Sequence, residues 1–423
     1  MPKVLSSYLP ASLVDEGPSR AVFLVLALSI AMVLVSIAVS QILLATALLG
    51  RLWQSRREGW PGMGAIATHP ARPGYYLGMP PIAWPLLFFF LWTILSALVS
   101  HDPLRGLTIS KKFFIFLLVF LVPLVLKGRG KTAWIYHAVF LVAGLSSALG
   151  LGQFMANPDR SFLDRISGFM GQWMTYSGLQ MLVLVMLCAY ASYFSWRRRW
   201  WILPLLVLLA GSLYLTFTRN AWLGAVAGIA AVLCLTRPRA IGAFALLLLA
   251  LFIVAPESAY QRLRAGLDSS DATTRGRIEL VQTSLRLIRD NPWFGVGPKS
   301  VNTEALRYRG SQEFPDWMYQ HMHNNFLQIA AERGIPGLLL WIWFMIQLVR
   351  DPIQVFRRRA STDRESFAIV ASVAAVGSWL ALMVAGMFEY NFGDSEVLTL
   401  FLFIMSAPNA AQLTSENAWQ GMS

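Results

Sequence analysis

Charge is scarce in this sequence. Charged side chains make up 13% of its 423 residues, whereas hydrophobic side chains make up 56%. Soluble domains carry about 25% charged residues, so the scarcity excludes an ordinary soluble globular protein. Long apolar runs recur with polar gaps between them, which is typical of an all-α protein that crosses a membrane several times.

Cysteine and acidic residues are also few. The two cysteines, Cys188 and Cys234, both lie inside apolar runs, which favours core packing over a disulfide or a metal pair. Acidic residues number 22 against 35 basic ones, so the net charge is +13. Such a charge can indicate nucleic-acid binding, but in membrane proteins basic residues accumulate on the cytoplasmic side. We therefore predict membrane lipids, and no nucleic acid, as partners.

The apolar runs predict eleven or twelve membrane spans. The first run, residues 21–49, is too long for one ordinary span, and Ser36 and Ser40 leave room for a break that would make it a helical pair. The other predicted spans are 82–99, 112–126, 133–152, 174–195, 200–217, 220–236, 239–255, 335–350, 366–388 and 395–411. Lys3 and Arg20 favour twelve spans, since an even count places both termini in the cytoplasm.

Basic clusters lie in alternate connections between these spans, so all of them fall on one side, which we predict to be cytoplasmic. They are Arg51, Arg56 and Arg57; Lys127, Arg129 and Lys131; Arg197–Arg199; Arg237 and Arg239; and Arg350, Arg357–Arg359 and Arg364. The periplasmic connections are then 100–111, 153–173, 218–220, 256–334 and 389–394. This divides the chain into N-terminal transmembrane helices (1–255), one large periplasmic loop (256–334) and C-terminal transmembrane helices with a cytoplasmic tail (335–423).

The sequence of the large loop predicts mostly helical structure. Residues 276–289 predict an amphipathic helix because apolar side chains recur there at helical spacing. Those side chains are Ile278, Val281, Leu285 and Ile288. We predict further helices over 300–309 and about 323–333, with the latter breaking at Gly334 and Pro336.

Three arginines on the predicted periplasmic side are candidate anion ligands. Arg219 joins two spans in a hairpin with almost no loop, on the side of the membrane where positive charge is disfavoured. It is either a phosphate clamp or an arginine that reaches from a helix end to water. Arg275 and Arg277 stand at the start of the amphipathic helix, whose dipole adds to anion attraction. They are either phosphate ligands or a solvated helix start.

Two histidines lie near the C-terminal end of the large loop. His321 and His323 are two positions apart, a spacing that aligns side chains in a strand or loop but not on a helix. A zinc site needs a third ligand, and none is evident in the sequence, so we predict no metal. One histidine can serve as a general base, with Asn324 and Asn325 orienting it or binding sugar hydroxyls. The alternative is a cluster that caps a helix.

Two further stretches are weaker signals. Glu389 and Tyr390, in the last periplasmic connection, can hold a sugar or form a capped hairpin. The glycine-rich stretch 291–297 lacks the lysine of a nucleotide-binding loop, and we reject that function for it.

The order of these motifs resembles the superfamily of O-antigen ligases and polymerases, and within it the ligases most. The resemblance rests on Thr218-Arg219-Asn220-Ala221-Trp222-Leu223-Gly224, Asn291-Pro292-x-x-Gly295-x-Gly297, His323-Asn324-x-x-Leu327 and Arg333-Gly334-Ile335-Pro336-Gly337. Two positions depart from the family's pattern. Asn220 stands where glycine is usual, and Val281 stands where tryptophan often follows the second arginine.

The resemblance implies a glycosyltransferase C-like fold and transfer of O-antigen from undecaprenyl diphosphate to lipid A–core at the periplasmic face of the inner membrane. It implies an inverting reaction without metal or other cofactor. His323 would be the general base, and Arg219 and Arg277 would bind the diphosphate, with Arg275 as the competitor of Arg277.

Three other functions remain open at this point. An O-antigen polymerase shares the donor chemistry, and a protein O-oligosaccharyltransferase shares the superfamily. A transporter is disfavoured because the charges cluster at span edges and in one loop rather than midway in spans.

Overall fold

The computed structural model describes residues 18–57, 80–126, 128–156, 165–194, 199–253, 272–310, 314–360 and 367–412. Within these ranges the chain is helical and has no β-strand, as predicted. Helix satisfies every backbone polar group within its own segment, which an apolar environment requires. Seven helical stretches in the described residues are long and apolar enough to cross a membrane, and one of them, Pro103–Val125, is a run of consecutive short helices.

The helices are numbered here in chain order. They are α1 Pro18–Met32, α2 Ile37–Arg57, α3 Ala83–Val99, α4 Pro103–Leu107, α5 Phe113–Phe116, α6 Leu118–Val125, α7 Arg129–Ala156, α8 Trp173–Tyr193, α9 Ile202–Leu215, α10 Arg219–Thr236, α11 Ala240–Ile253, α12 Ala272–Asp290, α13 Val301–Tyr308, α14 Asn325–Ala360, α15 Phe367–Ala385 and α16 Ser395–Gln412. Three short 3₁₀ helices accompany them, Thr108–Lys112, Asp316–Gln320 and Asn391–Gly393.

The first apolar run is a helical pair. α1 ends at Met32 and α2 begins at Ile37, and the buried Ser29 hydroxyl donates to the Ser40 carbonyl at 2.7 Å across the pair. The total of twelve spans and their orientation stay predictions. Parts of the prediction lie outside the described residues: Lys3, Lys127, Arg197, Arg198, Arg364 and the stretch 256–271.

The predicted connection 100–111 is largely helical. α4 begins at Pro103, and the Asp102 carboxylate accepts from the Arg105 N–H at 3.0 Å. A capping aspartate followed by proline is a favourable helix start. Arg105, Lys111 and Lys112 are charged and lower the local hydropathy. The pattern of apolar runs therefore does not predict this helix start.

α10 and α15 pack antiparallel at very short range. A Cβ placed on Gly228 would lie 2.8 Å from the Gly377 carbonyl oxygen, and one placed on Gly224 would lie 3.1 Å from the Ala385 Cβ. Small residues allow backbones to approach this closely in membrane proteins. As a consequence, the first residue of α10, Arg219, lies at the same end of the pair as the connection that follows α15.

α14 bends at Gly334, as predicted. Gly334 has φ 71° and ψ 179°, and a Cβ there would lie 2.0 Å from the Trp293 carbonyl oxygen. The Ile335 N–H donates to the Pro292 carbonyl at 2.8 Å, and the Val296 N–H donates to the Ala331 carbonyl at 2.9 Å. The stretch 291–297 is therefore a turn that docks against the bend, which explains its glycines.

The amphipathic helix predicted over 276–289 lies within α12, but most of the apolar side chains that predicted it are exposed. Ile278, Val281 and Leu285 are 46%, 41% and 55% exposed, while Leu280 and Leu287 are buried. The rest of the buried face is polar, and its hydroxyls are paired within the helix. Thr283 donates to the Glu279 carboxylate at 3.0 Å, and Ser284 donates to the Leu280 carbonyl at 2.6 Å. A pattern of apolar residues cannot detect such a face.

Candidate active site

Arg219 begins α10 directly after a tight turn. Phe217 adopts a left-handed conformation with φ 50°, and the Trp222 indole N–H donates to the Leu213 carbonyl at 3.0 Å. Tyr214 stacks on Trp222 with ring centroids 5.3 Å apart. These contacts close the hairpin predicted from sequence and fix the half-buried Arg219 at its tip.

The connection between α15 and α16 is fastened by Asn325. Its backbone N–H donates to the Gly386 carbonyl at 2.7 Å, and its side-chain amide donates to Asn391 Oδ1 at 2.7 Å. Its side-chain oxygen accepts from the Phe392 N–H at 3.1 Å. Asn325 is buried, so this geometry favours a positioning role over the predicted contact with substrate.

Both histidines of the loop lie next to the Glu389 carboxylate, in the connection between α15 and α16. His323 Nδ1 lies 2.9 Å from Glu389 Oε2, and His321 Nδ1 lies 3.6 Å from Glu389 Oε1. The two imidazole rings are 4.1 Å apart, between centroids. His321 is extended and His323 is left-handed with φ 45°, so the backbone is not helical here and the spacing does align the two side chains.

Burial and charge set the protonation of this cluster. Burial alone raises the pKa of Glu389, but the hydrogen bond and charge of His323, the charge of His321 and the Tyr390 N–H outweigh it, so this pKa lies below its usual range. Burial and the charge of His323 lower the pKa of His321, against the attraction of Glu389. The His323 N–H also donates to His321 Nδ1 at 3.4 Å. Glu389 is therefore ionised, and the lowered pKa of His321 favours the neutral form of that imidazole.

A chain of hydrogen bonds holds the histidine loop in place. The Met322 N–H donates to Gln328 Oε1 at 2.7 Å, and the Gln328 amide donates to Glu332 Oε1 at 2.9 Å. Glu332 in turn pairs with the buried Arg333. This supporting network was missed by sequence reasoning. The sequence did contain a signal for this network: Gln328, Glu332 and Arg333 are polar, yet they stand on the first turns of a helix that continues into an apolar span.

Asn324 caps α14. Its side-chain oxygen accepts from the Leu327 N–H at 3.0 Å, and its amide donates to the Met387 carbonyl at 2.9 Å. This is the helix-cap alternative considered for the sequence, and it also ties the histidine loop to the end of α15. Tyr390 lies beside His321, with ring centroids 6.3 Å apart. Burial raises the pKa of Tyr390, which keeps its hydroxyl protonated.

Arg277 is half-buried and lies within electrostatic range of the cluster, whereas Arg275 is exposed. Burial lowers the pKa of Arg277 and the charge of Arg219 lowers it further, while Glu389 acts in the opposite direction. Arg277 is therefore within electrostatic range of both groups. Arg275 lies on the exposed side of α12. The structure thus brings together Arg219, Arg277, His321, His323 and Glu389.

A third candidate metal ligand lies far from the two histidines in the sequence. No such ligand is evident near them along the chain, but in the folded chain Glu389, 66 residues after His323, offers one. The ligand atoms of His321, His323 and Glu389 all lie within 4.8 Å of one another.

The fold and the site define a multi-pass helical membrane protein whose site joins two arginines to a histidine–glutamate pair. Residues 204–342 match the model of the O-antigen ligase family, Wzy_C. This match supports membership of the O-antigen ligase superfamily, as the motifs predicted. It includes Arg219, Arg277 and His323, whereas Glu389 lies beyond it. No curated protein gave a significant match to the chain.

Proposed function

We propose that this protein transfers O-antigen polysaccharide from undecaprenyl diphosphate to a sugar hydroxyl of lipid A–core, at the periplasmic face of the inner membrane. The observation that carries the proposal is the convergence of Arg219, Arg277, His323 and Glu389 from four separate parts of the chain. A polysaccharide on a lipid diphosphate needs cations at its phosphates and a base at the attacking hydroxyl, and these residues supply both.

The two arginines bind the diphosphate. Guanidinium groups grip phosphate oxygens with two parallel hydrogen bonds. Burial lowers the pKa of Arg277, and repulsion from the charge of Arg219 lowers it further. An anion between the two arginines relieves that repulsion. Their attraction is strongest for the departing diphosphate, which gains negative charge as it leaves. Preorganised stabilisation of this kind contributes about 3–4 kcal/mol per group.

His323 removes the proton from the acceptor hydroxyl. Its Nδ1 is engaged by the ionised Glu389, so Nε2 is the atom that accepts the proton, and Glu389 stabilises the resulting imidazolium. The acceptor oxygen forms a bond to the anomeric carbon while the bond from that carbon to the phosphate oxygen breaks, with inversion. General-base assistance contributes about 10²–10⁴-fold in rate. The phosphate–sugar bond supplies the energy, so no nucleotide is required.

The test is complementation of a cell that lacks its own ligase. We expect His323→Ala and Arg219→Ala to leave lipid A–core without O-antigen on a gel, while lipid-linked polymer accumulates. His101→Ala is the matched control, because His101 is exposed and lies in a different connection. If either site variant, present at the wild-type level, still caps lipid A–core, the role given to that residue is wrong.

The same gel separates ligase from polymerase. Loss of a polymerase leaves single repeats on lipid A–core, whereas loss of a ligase leaves none. Glycoprotein staining of the same cells detects transfer to protein instead.

A further inference from the structure

The histidine–glutamate cluster has the composition and spacing of a metal site. His321 Nδ1 and His323 Nδ1 lie 3.6 and 2.9 Å from separate oxygens of Glu389. Zinc bound tetrahedrally with bonds of about 2.0–2.1 Å separates its ligand atoms by about 3.3 Å. The candidate ligand atoms of the three side chains all lie within 4.8 Å of one another, so each pair must close by no more than about 1.5 Å to hold one ion.

The surrounding structure holds these ligands in place before any ion arrives. Glu389 is buried, and its Oε1 accepts from the Tyr390 N–H at 3.0 Å, which orients the carboxylate. The histidine loop is fixed by Gln328 through the Met322 N–H. Both imidazoles remain partly exposed, so an ion can reach them. Contacts that orient metal ligands strengthen metal binding.

The ligand set selects the kind of ion. Imidazole nitrogens suit zinc, copper and nickel, whereas magnesium and calcium prefer oxygen ligands and a larger number of them. Arg219 and Arg277 lie within electrostatic range and oppose a dication. An ion at this cluster would therefore bind reversibly and more weakly than a structural zinc.

We propose that His321, His323 and Glu389 form a transition-metal site of the zinc class, and that an ion bound there inhibits the protein. The inhibition, unlike the binding, rests on the proposed function. An ion on His323 Nδ1 and on Glu389 breaks the pair that makes His323 a base. It also adds positive charge where an imidazolium has to form. The effect of a chelator is then opposite to that on a metalloenzyme, since removing the ion restores transfer.

Binding is tested on the purified full chain, without a polyhistidine tag and stripped with EDTA. We expect one Zn²⁺ per chain by calorimetry, and a Co²⁺ absorption spectrum typical of tetrahedral nitrogen and oxygen ligands. His321→Ala and Glu389→Gln should each weaken Zn²⁺ binding about tenfold or more. His101→Ala should not, and excess Mg²⁺ should not compete. Absence of stoichiometric Zn²⁺ binding, or binding that survives His321→Ala, overturns the site.

Inhibition is tested with lipid-linked donor and lipid A–core in the same preparation. We expect Zn²⁺ to suppress transfer at the concentration that fills the site, and EDTA to restore it. If Zn²⁺ fills the site and transfer is unchanged, the inhibitory role is wrong. If the metal-free protein transfers nothing, the proposed function fails, while the binding experiment still decides the metal site.

Discussion

The two ends of the contact between α10 and α15 are organised by different interactions. Within the apolar part, Gly228 and Gly377 bring the two backbones together, and shape alone decides the fit. At the periplasmic end predicted for the pair, Arg219 and Glu389 belong to a cluster held by directed hydrogen bonds and by charge. The first region therefore depends on residue size, and the second depends on where individual donors and acceptors point.

Substitutions in the two regions should therefore have different effects. A change in the apolar contact should lower the stability of the protein while leaving the chemistry of the folded fraction intact. A change in the polar cluster should lower activity while leaving the fold intact, because its residues lie at the edge of the helical core.

The largest effect beyond the loss of His323 or Arg219 is expected at Arg277. Arg277→Ala should lower kcat/KM for the lipid-linked donor by about 10²–10³-fold, as removal of a preorganised charge-stabilising donor does. Arg277→Lys should recover only part of the loss, because lysine cannot grip phosphate with two parallel bonds. The measurement is transfer by purified protein over a range of donor concentrations.

Arg275 is the matched control, two residues away on the same helix. Arg275→Ala should leave transfer within about twofold, since an exposed substitution usually changes free energies by no more than about 0.5 kcal/mol. Equal losses for both variants would contradict the assignment of the diphosphate to the inward side of α12.

A smaller effect is expected at Glu389, which acts through His323. Glu389→Gln keeps the shape but removes the charge from a hydrogen bond that contributes about 1.5–3 kcal/mol. We expect kcat to fall by about 10- to 100-fold, as each 1.4 kcal/mol is a factor of ten. KM for the donor should be unchanged, because both arginines remain.

A lower kcat with an unchanged donor KM distinguishes this role from a merely structural one, which would not separate the two constants. Glu304→Gln is the control, because Glu304 pairs with Arg307 at 2.9 Å within α13. A raised donor KM in Glu389→Gln would mean that the carboxylate positions the arginines instead of His323.

The fold was predictable where apolar residues face apolar surroundings. The break between α1 and α2, the bend at Gly334 and the helical content follow from run length and from glycine and serine in the sequence. The buried face of α12 was not predictable, because Thr283 and Ser284 satisfy their hydroxyls within the helix and are buried although polar.

The residues of the candidate site were predictable from the sequence, but the contacts between their side chains were not. Topology placed Glu389 on the same side as the histidines, but only the folded chain brings its carboxylate to 2.9 Å from His323. Distance along the chain concealed this pair and, with it, the third candidate metal ligand. Asn325 was assigned to substrate for the same reason, since its partners Asn391 and Phe392 are 66 and 67 residues away.

The smallest effect on chemistry is expected in the apolar contact. Leucine at position 228 would place its Cβ 2.7 Å from the Val185 Cγ2 and 2.8 Å from the Gly377 carbonyl oxygen, so α10 and α15 must separate. Overpacking of this kind costs about 1–3 kcal/mol. We expect Gly228→Leu to lower the melting temperature in nanodiscs, while transfer per folded molecule stays near the wild-type value.

Gly242→Leu on α11 is the matched control, because a Cβ there meets nothing within 4 Å. It should melt like the wild type. A loss of transfer in Gly228→Leu that exceeds its loss of folded protein would mean that the spacing of α10 and α15 itself sets the distance from Arg219 to Glu389. The two regions would then act as one, and residue size in the apolar contact would control the chemistry at its end.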